Sequence, residues 1–139
     1  MLDVSDGVTL SSIVGRDDRM QLEGFKFGDI YLETPGESFD LHNCFDFTGF
    51  SYVVSARTLS LRWIPNEYAK PGEHRRIVVE FHDVSHFSCE PRDSAMPFTE
   101  DTCLSSVWSE PTPEGRCVFQ FMSGFVLRVF GARATWRIE

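Results

Sequence analysis

The sequence predicts a mainly β fold: an antiparallel curved sheet folded over itself, or a sandwich, with at most one short helix after Thr99. Three observations point there. Phe occurs 13 times in 139 residues, and aromatic side chains suit the pleated, half-buried surface of a sheet. Apolar and polar residues alternate with period two, most cleanly through Leu59, Leu61 and Trp63 and through Ile77, Val79 and Phe81. Short Gly- or Pro-containing stretches separate these runs, as at Thr34-Pro35-Gly36, Pro71-Gly72 and Ser123-Gly124. The alternative is α+β, with part of residues 1–24 helical. The length is that of one domain, 1–139, large enough to bury a core without disulfides or metal.

Taken in order, Met20 and Leu22, Phe25 and Phe27, then Ile30 and Leu32 alternate with polar residues and read as short strands. Phe39, Leu41, Phe45 and Phe47 continue the alternation. Gly49 marks a bulge or bend, after which Phe50, Tyr52 and Val54 start a new phase. Leu59 to Trp63 form a half-buried strand, and residues 65–72 a loop. Ile77, Val79 and Phe81 follow. The phase recovers at Phe87 and Cys89 with Val84 out of step, which one extra residue between Asp83 and His86 explains as a β-bulge. Thr99 as N-cap, followed by Glu100 and Asp101, opens a short helix through Cys103-Leu104 to Val107-Trp108. Residues 111–115 end it. Cys117–Met122 and Phe125–Phe130 pair as a hairpin across Ser123-Gly124, and Gly131-Ala132 turns into a third strand of the same meander.

The net charge of -8 is unevenly placed. Residues 1–47 contain ten acidic and three basic residues, a balance of -7, while the remainder balances at -1. An acidic region repels nucleic acid and anionic membrane and attracts a basic protein. Asp17 and Asp18 are the candidate partner-binding residues. The N-terminal residues carry neither the basic nor the apolar region of a secretory signal, and no apolar stretch approaches the ~20 residues that span a bilayer. The expectation is a cytoplasmic protein with four reduced cysteines, Cys44, Cys89, Cys103 and Cys117, each behaving as a small buried hydrophobe.

His82, His86 and Cys89 have a spacing that zinc accepts, with Cys103 as a possible fourth ligand. Residues four apart on a strand lie about 13 Å apart, however, so neither metal nor other cofactor is expected. Cys44 has the only local histidine, His42, yet nothing marks its thiol as activated. Glu100 and Asp101 are explained by the start of the helix. Arg128, Arg133 and Arg137 cluster near the end, where Arg128 and Arg133 can oppose each other across Gly131-Ala132; a small basic patch and solvated outward-facing positions of an antiparallel sheet explain them equally well. No Walker loop, dinucleotide fingerprint or nucleophile elbow is present.

From Arg75 to Glu139 the chain runs RRIVVEFHDVSHFSC, a variable loop, LSS, and CVFQFMSGFVLRVFGARATWRIE. This layout resembles small bacterial β-rich proteins, some of them assigned as immunity proteins of contact-dependent or polymorphic toxin systems. Those families show a Phe-x-x-Val-x-x-Phe-like segment, here Phe81, Val84 and Phe87, and a C-terminal hairpin with a central glycine, here Gly124. The resemblance covers about half of the chain; residues 1–74 show none. It implies a single-domain, non-catalytic binding protein. The functional expectation is therefore a protein-binding module, an immunity-type inhibitor of a basic partner. The alternative is an enzyme or small-ligand binder with a pocket between the sheets near His82, Asp83 and His86. A homodimer joined through an edge strand is a third reading.

Overall fold

Leu59, Leu61 and Trp63 have no exposed surface, and neither do Ile77, Val79 and Phe81; the two runs pair in register, Leu59 opposite Phe81 and Trp63 opposite Ile77. This pair is the centre of the molecule. The computed structural model describes residues 20–110 and 115–139. The strands are β1 (Gln21–Leu22), β2 (Lys26–Gly28), β3 (Tyr31–Thr34), β4 (Glu37–Asp40), β5 (Phe45–Val53), β6 (Thr58–Pro65), β7 (Ile77–His82), β8 (His86–Glu90), β9 (Leu104–Glu110), β10 (Arg116–Phe121), β11 (Val126–Phe130) and β12 (Arg133–Ile138). A single 3-10 turn, Phe98–Thr102, is the helical element among the described residues. The fold is mainly β.

Three sheets form. One has the order β1-β12-β7-β6-β5, the second β9-β10-β11-β8, and the third β2-β3-β4. All pairings are antiparallel except the short parallel one between β12 and β1. The first two sheets face each other across an aromatic core. Phe47 and Phe121 stand 4.7 Å apart between ring centroids, Phe81 and Phe119 6.0 Å, and Trp63 and Phe119 6.2 Å. Such pairs contribute roughly 0.5–1.5 kcal/mol each beyond the area they bury. The third sheet closes one end: Phe27 meets Phe119 edge-on at 5.4 Å, Phe39 packs on Phe45 and Trp136, and the Val107 amide donates to the Asp29 carbonyl.

The sequence reading is corrected at four places. Leu104 to Trp108 is strand, not helix. Only Phe98–Thr102 is helical, with Pro97 rather than Thr99 at the N-cap position. A register shift between Leu104 and Ser106 puts buried Leu104 and Val107 three residues apart, the spacing of a helix face. Asp83 to Ser85 is not a bulge within one strand. The chain leaves the first sheet at His82 and enters the second at His86, with Asp83 at φ 54° in the corner and Val84 buried beneath it. β12 does not extend the β10–β11 hairpin but crosses to pair with β7. Gly131 allows that crossing, since a Cβ there would stand 3.0 Å from the His82 carbonyl oxygen. Val54, whose alternation with Phe50 and Tyr52 predicts a core position, is 76% exposed at the tip of the β5–β6 hairpin. The β10–β11 pairing is as expected, with the connection running Met122 to Phe125. The residues bearing on a helical start before position 20, and residues 111–114, lie outside those described.

Candidate functional site

β5 is interrupted by a bulge: Phe47 pairs with Trp63, and Gly49, not Thr48, pairs with Arg62. Gly49 has φ +138°, which a side chain would resist. The bulge residues Thr48 and Gly49 line a cleft of about 490 Å³ beside β5. Phe47, Phe50 and Phe125 wall it; Arg92, Asp101, Thr48 and Thr102 supply its polar groups.

Arg92 is held through two of its three guanidinium nitrogens. Its Nε donates to Asp101 at 2.8 Å, its Nη2 donates to the carbonyls of Met96 and Pro97, and its guanidinium lies over the Phe98 ring at 4.7 Å. The Arg92 bond, with help from the Ser123 hydroxyl, holds the Asp101 carboxyl below its usual range. Asp101 thus serves an ion pair rather than a helix start; a five-residue 3-10 turn has almost no macrodipole to complement. The pair braces the loop that forms one wall of the cleft.

Two carboxylates of the β4–β5 region are held by local hydrogen bonds. Asp40 accepts from the backbone amides of His42 and Asn43, and Asp46 from the Asn66 side chain. Neither these two nor Glu100 forms an ion pair with Lys or Arg among the described residues. Burial raises the Cys103 thiol pKa, and the negative charges of Glu100, Asp46 and Asp40 raise it further. Glu100 is the chain neighbour of the cleft-lining Asp101, and Asp46 that of the cleft-lining Phe47, on the opposite face of β5.

The cysteine–histidine contact that does form joins Cys103, not Cys44, to His42, with Sγ 3.3 Å from Nδ1. It is not a nucleophile–base pair. His42 Nδ1 is 2.6 Å from the Leu104 carbonyl, and a carbonyl oxygen only accepts, so Nδ1 carries its proton and cannot take one from the thiol. Cys44 is half-buried, its pKa raised by burial and by Asp40. Cys117 is fully buried and its thiol is pushed up to about 11. Cys89 is exposed, contrary to the expectation of four buried thiols.

His82, Asp83 and His86 do not line the cleft. His82 faces outward from the first sheet, with Nε2 2.9 Å from the Thr135 hydroxyl. Asp83 pairs with Arg57 at 3.2 Å. His86 stacks on Phe130 on the outer face of the second sheet, at 3.8 Å between centroids. The sheet change at residues 83–85 sends the two imidazoles to different faces. The described residues contain no group of three or more His, Cys, Asp or Glu placed to hold a metal ion. Asp17 and Asp18 lie outside the described residues. Arg128, Arg133 and Arg137 do not form a patch: each is ion-paired, with Glu90, with Glu23, and with Glu80 and Glu139 respectively. Arg128 and Arg133 are on different sheets.

No helix among the described residues is long and apolar enough to cross a membrane. Comparison with protein-family models, with curated proteins and with solved structures finds no match.

Proposed function

We propose that this chain is a non-enzymatic protein-binding module whose basic partner inserts an apolar side chain into the cleft between Phe47, Phe50 and Phe125. The observation that carries this reading is an apolar-walled cleft whose lining residues Phe47 and Asp101 are chain neighbours of two carboxylates, Asp46 and Glu100, that no Lys or Arg of the described residues pairs with. Carboxylates in such a position speed encounter with a cationic surface, and a desolvated aromatic pocket supplies the slow dissociation. The -7 balance of residues 1–47 has the sign that a cationic partner needs. The resemblance of the C-terminal half to immunity-type proteins supports a toxin as the class of partner and a bacterial cytoplasm as the setting.

A second reading is a small-ligand binder or enzyme using the same cleft. The volume favours it, being within the roughly 300–1,000 Å³ of ligand sites. Its residues would be Arg92 and Asp101 rather than His82, Asp83 and His86.

The experiment is affinity capture from native lysate at low and high salt, using the wild type, Glu100→Lys and Phe125→Ser, with mass spectrometry of the retained species. A basic protein held at low salt, weakened at high salt and lost with both variants supports the first reading. Retained proteins that are neutral or acidic, or indifferent to both variants, contradict it. A small molecule lost only with Phe125→Ser supports the second.

A further inference from the structure

Ion pairing sorts the basic residues of this acidic chain sharply. Among the described residues every Lys and Arg has a carboxylate partner within 4.0 Å except two, Arg62 and Arg76. Both line one pocket of about 330 Å³ on the outer face of the first sheet, together with Thr48, Ile64, Val78 and Glu139.

Strand register explains why they converge. Arg62 stands opposite Val78, and Arg76 lies two residues before Val78 on the same face. The two are diagonal neighbours across β6 and β7, about 7–8 Å apart at the backbone, so both guanidinium groups can reach one ligand. Val78 is completely buried although it faces outward, so the pocket floor is apolar. The Glu139 carboxylate is turned to Arg137 at 3.0 Å rather than to Arg76, and it stands as the one acidic group among the pocket's lining residues, while the Arg76 and Glu139 backbones bond to each other.

We propose that Arg62 and Arg76 form a binding site for a compact oxyanion dianion, a small phosphate monoester. Two guanidinium groups match its charge and offer paired N–H donors to its oxygens, where a carboxylate would satisfy one of them. The Thr48 bulge separates this site from the aromatic cleft and lines both. The proposal does not depend on a basic protein occupying that cleft.

The test is an NMR titration of the full chain with inorganic phosphate and with phenyl phosphate, at constant ionic strength held with chloride. Saturable shifts are expected at the Arg62 and Arg76 Nε–H signals and at the amides of Thr48 and Val78, with sulfate competing and acetate weaker. Arg76→Gln removes a side chain that bonds to nothing among the described residues, so the fold is retained. It weakens phosphate binding roughly tenfold or more, the value of a charge-assisted bond. Lys26→Gln changes nothing. Shifts that rise linearly without saturating, or saturable shifts that survive in the Arg62→Gln/Arg76→Gln double variant, overturn the site. They would leave the two arginine stems as a cover for Val78.

Discussion

Arg75 and Arg76 are adjacent in the chain, yet one is clamped by two carboxylates over an aromatic ring and the other meets no carboxylate among the described residues. Arg75 donates to Glu37 and to Glu73, each at 2.8 Å, and lies over Phe39 at 5.3 Å. The clamp ties the third sheet to the loop leading into β7. Successive residues of an extended segment point to opposite sides, so Arg76 faces the outer surface of the first sheet instead. Arg92, in its cleft, repeats the clamped arrangement, whereas Arg62 repeats the open one. The difference teaches that a satisfied arginine is part of the scaffold, and that an unsatisfied pair sharing a pocket is available to a ligand. Formal charge in the sequence does not separate the two.

The largest expected effect comes from breaking the clamp. Arg75→Ala leaves Glu73, whose side chain is only 4% exposed, with only the residue-75 backbone amide and Lys70 at 4.0 Å. Urea denaturation should show a loss of about 2 kcal/mol, in the lower part of the range for bonds to charged groups because Arg75 itself is 37% exposed and screened. Arg76→Ala should stay within about 0.5 kcal/mol of the wild type. Equal losses would erase the distinction.

Acid sharpens the same contrast. The Arg75 hydrogen bond lowers the Glu73 carboxyl to about 2, from an ordinary value of 4.5. Between those values the unfolded chain binds a proton at Glu73 and the folded chain does not. The stabilisation is therefore fully present above pH 4.5 and is lost as pH falls toward 2. Stability measured across this window should fall more steeply in the wild type than in Arg75→Ala. Parallel curves would show that the clamp does not set this carboxyl.

The smallest effect is a difference in thiol labelling at neutral pH. Cys89 should react with a thiol reagent first, whereas Cys117, buried and pushed up to about 11, should react only on unfolding. Mass spectrometry of partially labelled protein reads the order, and early labelling of Cys117 would contradict the packing described for β10.

Much of the fold was legible because period-two alternation is a local signal. It located β6 and β7, the β10–β11 hairpin and the Gly49 interruption. It failed where two structures produce the same local pattern. The shift between Leu104 and Ser106 imitates a helical spacing, and a change of sheet after His82 imitates a bulge, since each offsets the alternation by one residue. The placement of β12 beside β7 is a pairing distant in sequence, which periodicity does not encode. The site was less legible still. Gly49 was visible, but the Arg92–Asp101 pair joins a loop position to the 3-10 turn, and the lack of a carboxylate partner for Arg62 and Arg76 among the described residues is a property of three dimensions.

The central claim is that a carboxylate-flanked aromatic cleft receives a basic partner. Its most direct measurement is the association rate of the captured partner across a salt series, for the wild type, Asp46→Asn/Glu100→Lys and Asp17→Lys/Asp18→Lys. The account predicts a wild-type rate that falls as salt rises past a Debye length of about 8 Å, with slower and flatter responses in both acidic-residue variants and none in Arg133→Gln. Rates indifferent to salt and to the Asp46 and Glu100 changes would contradict it.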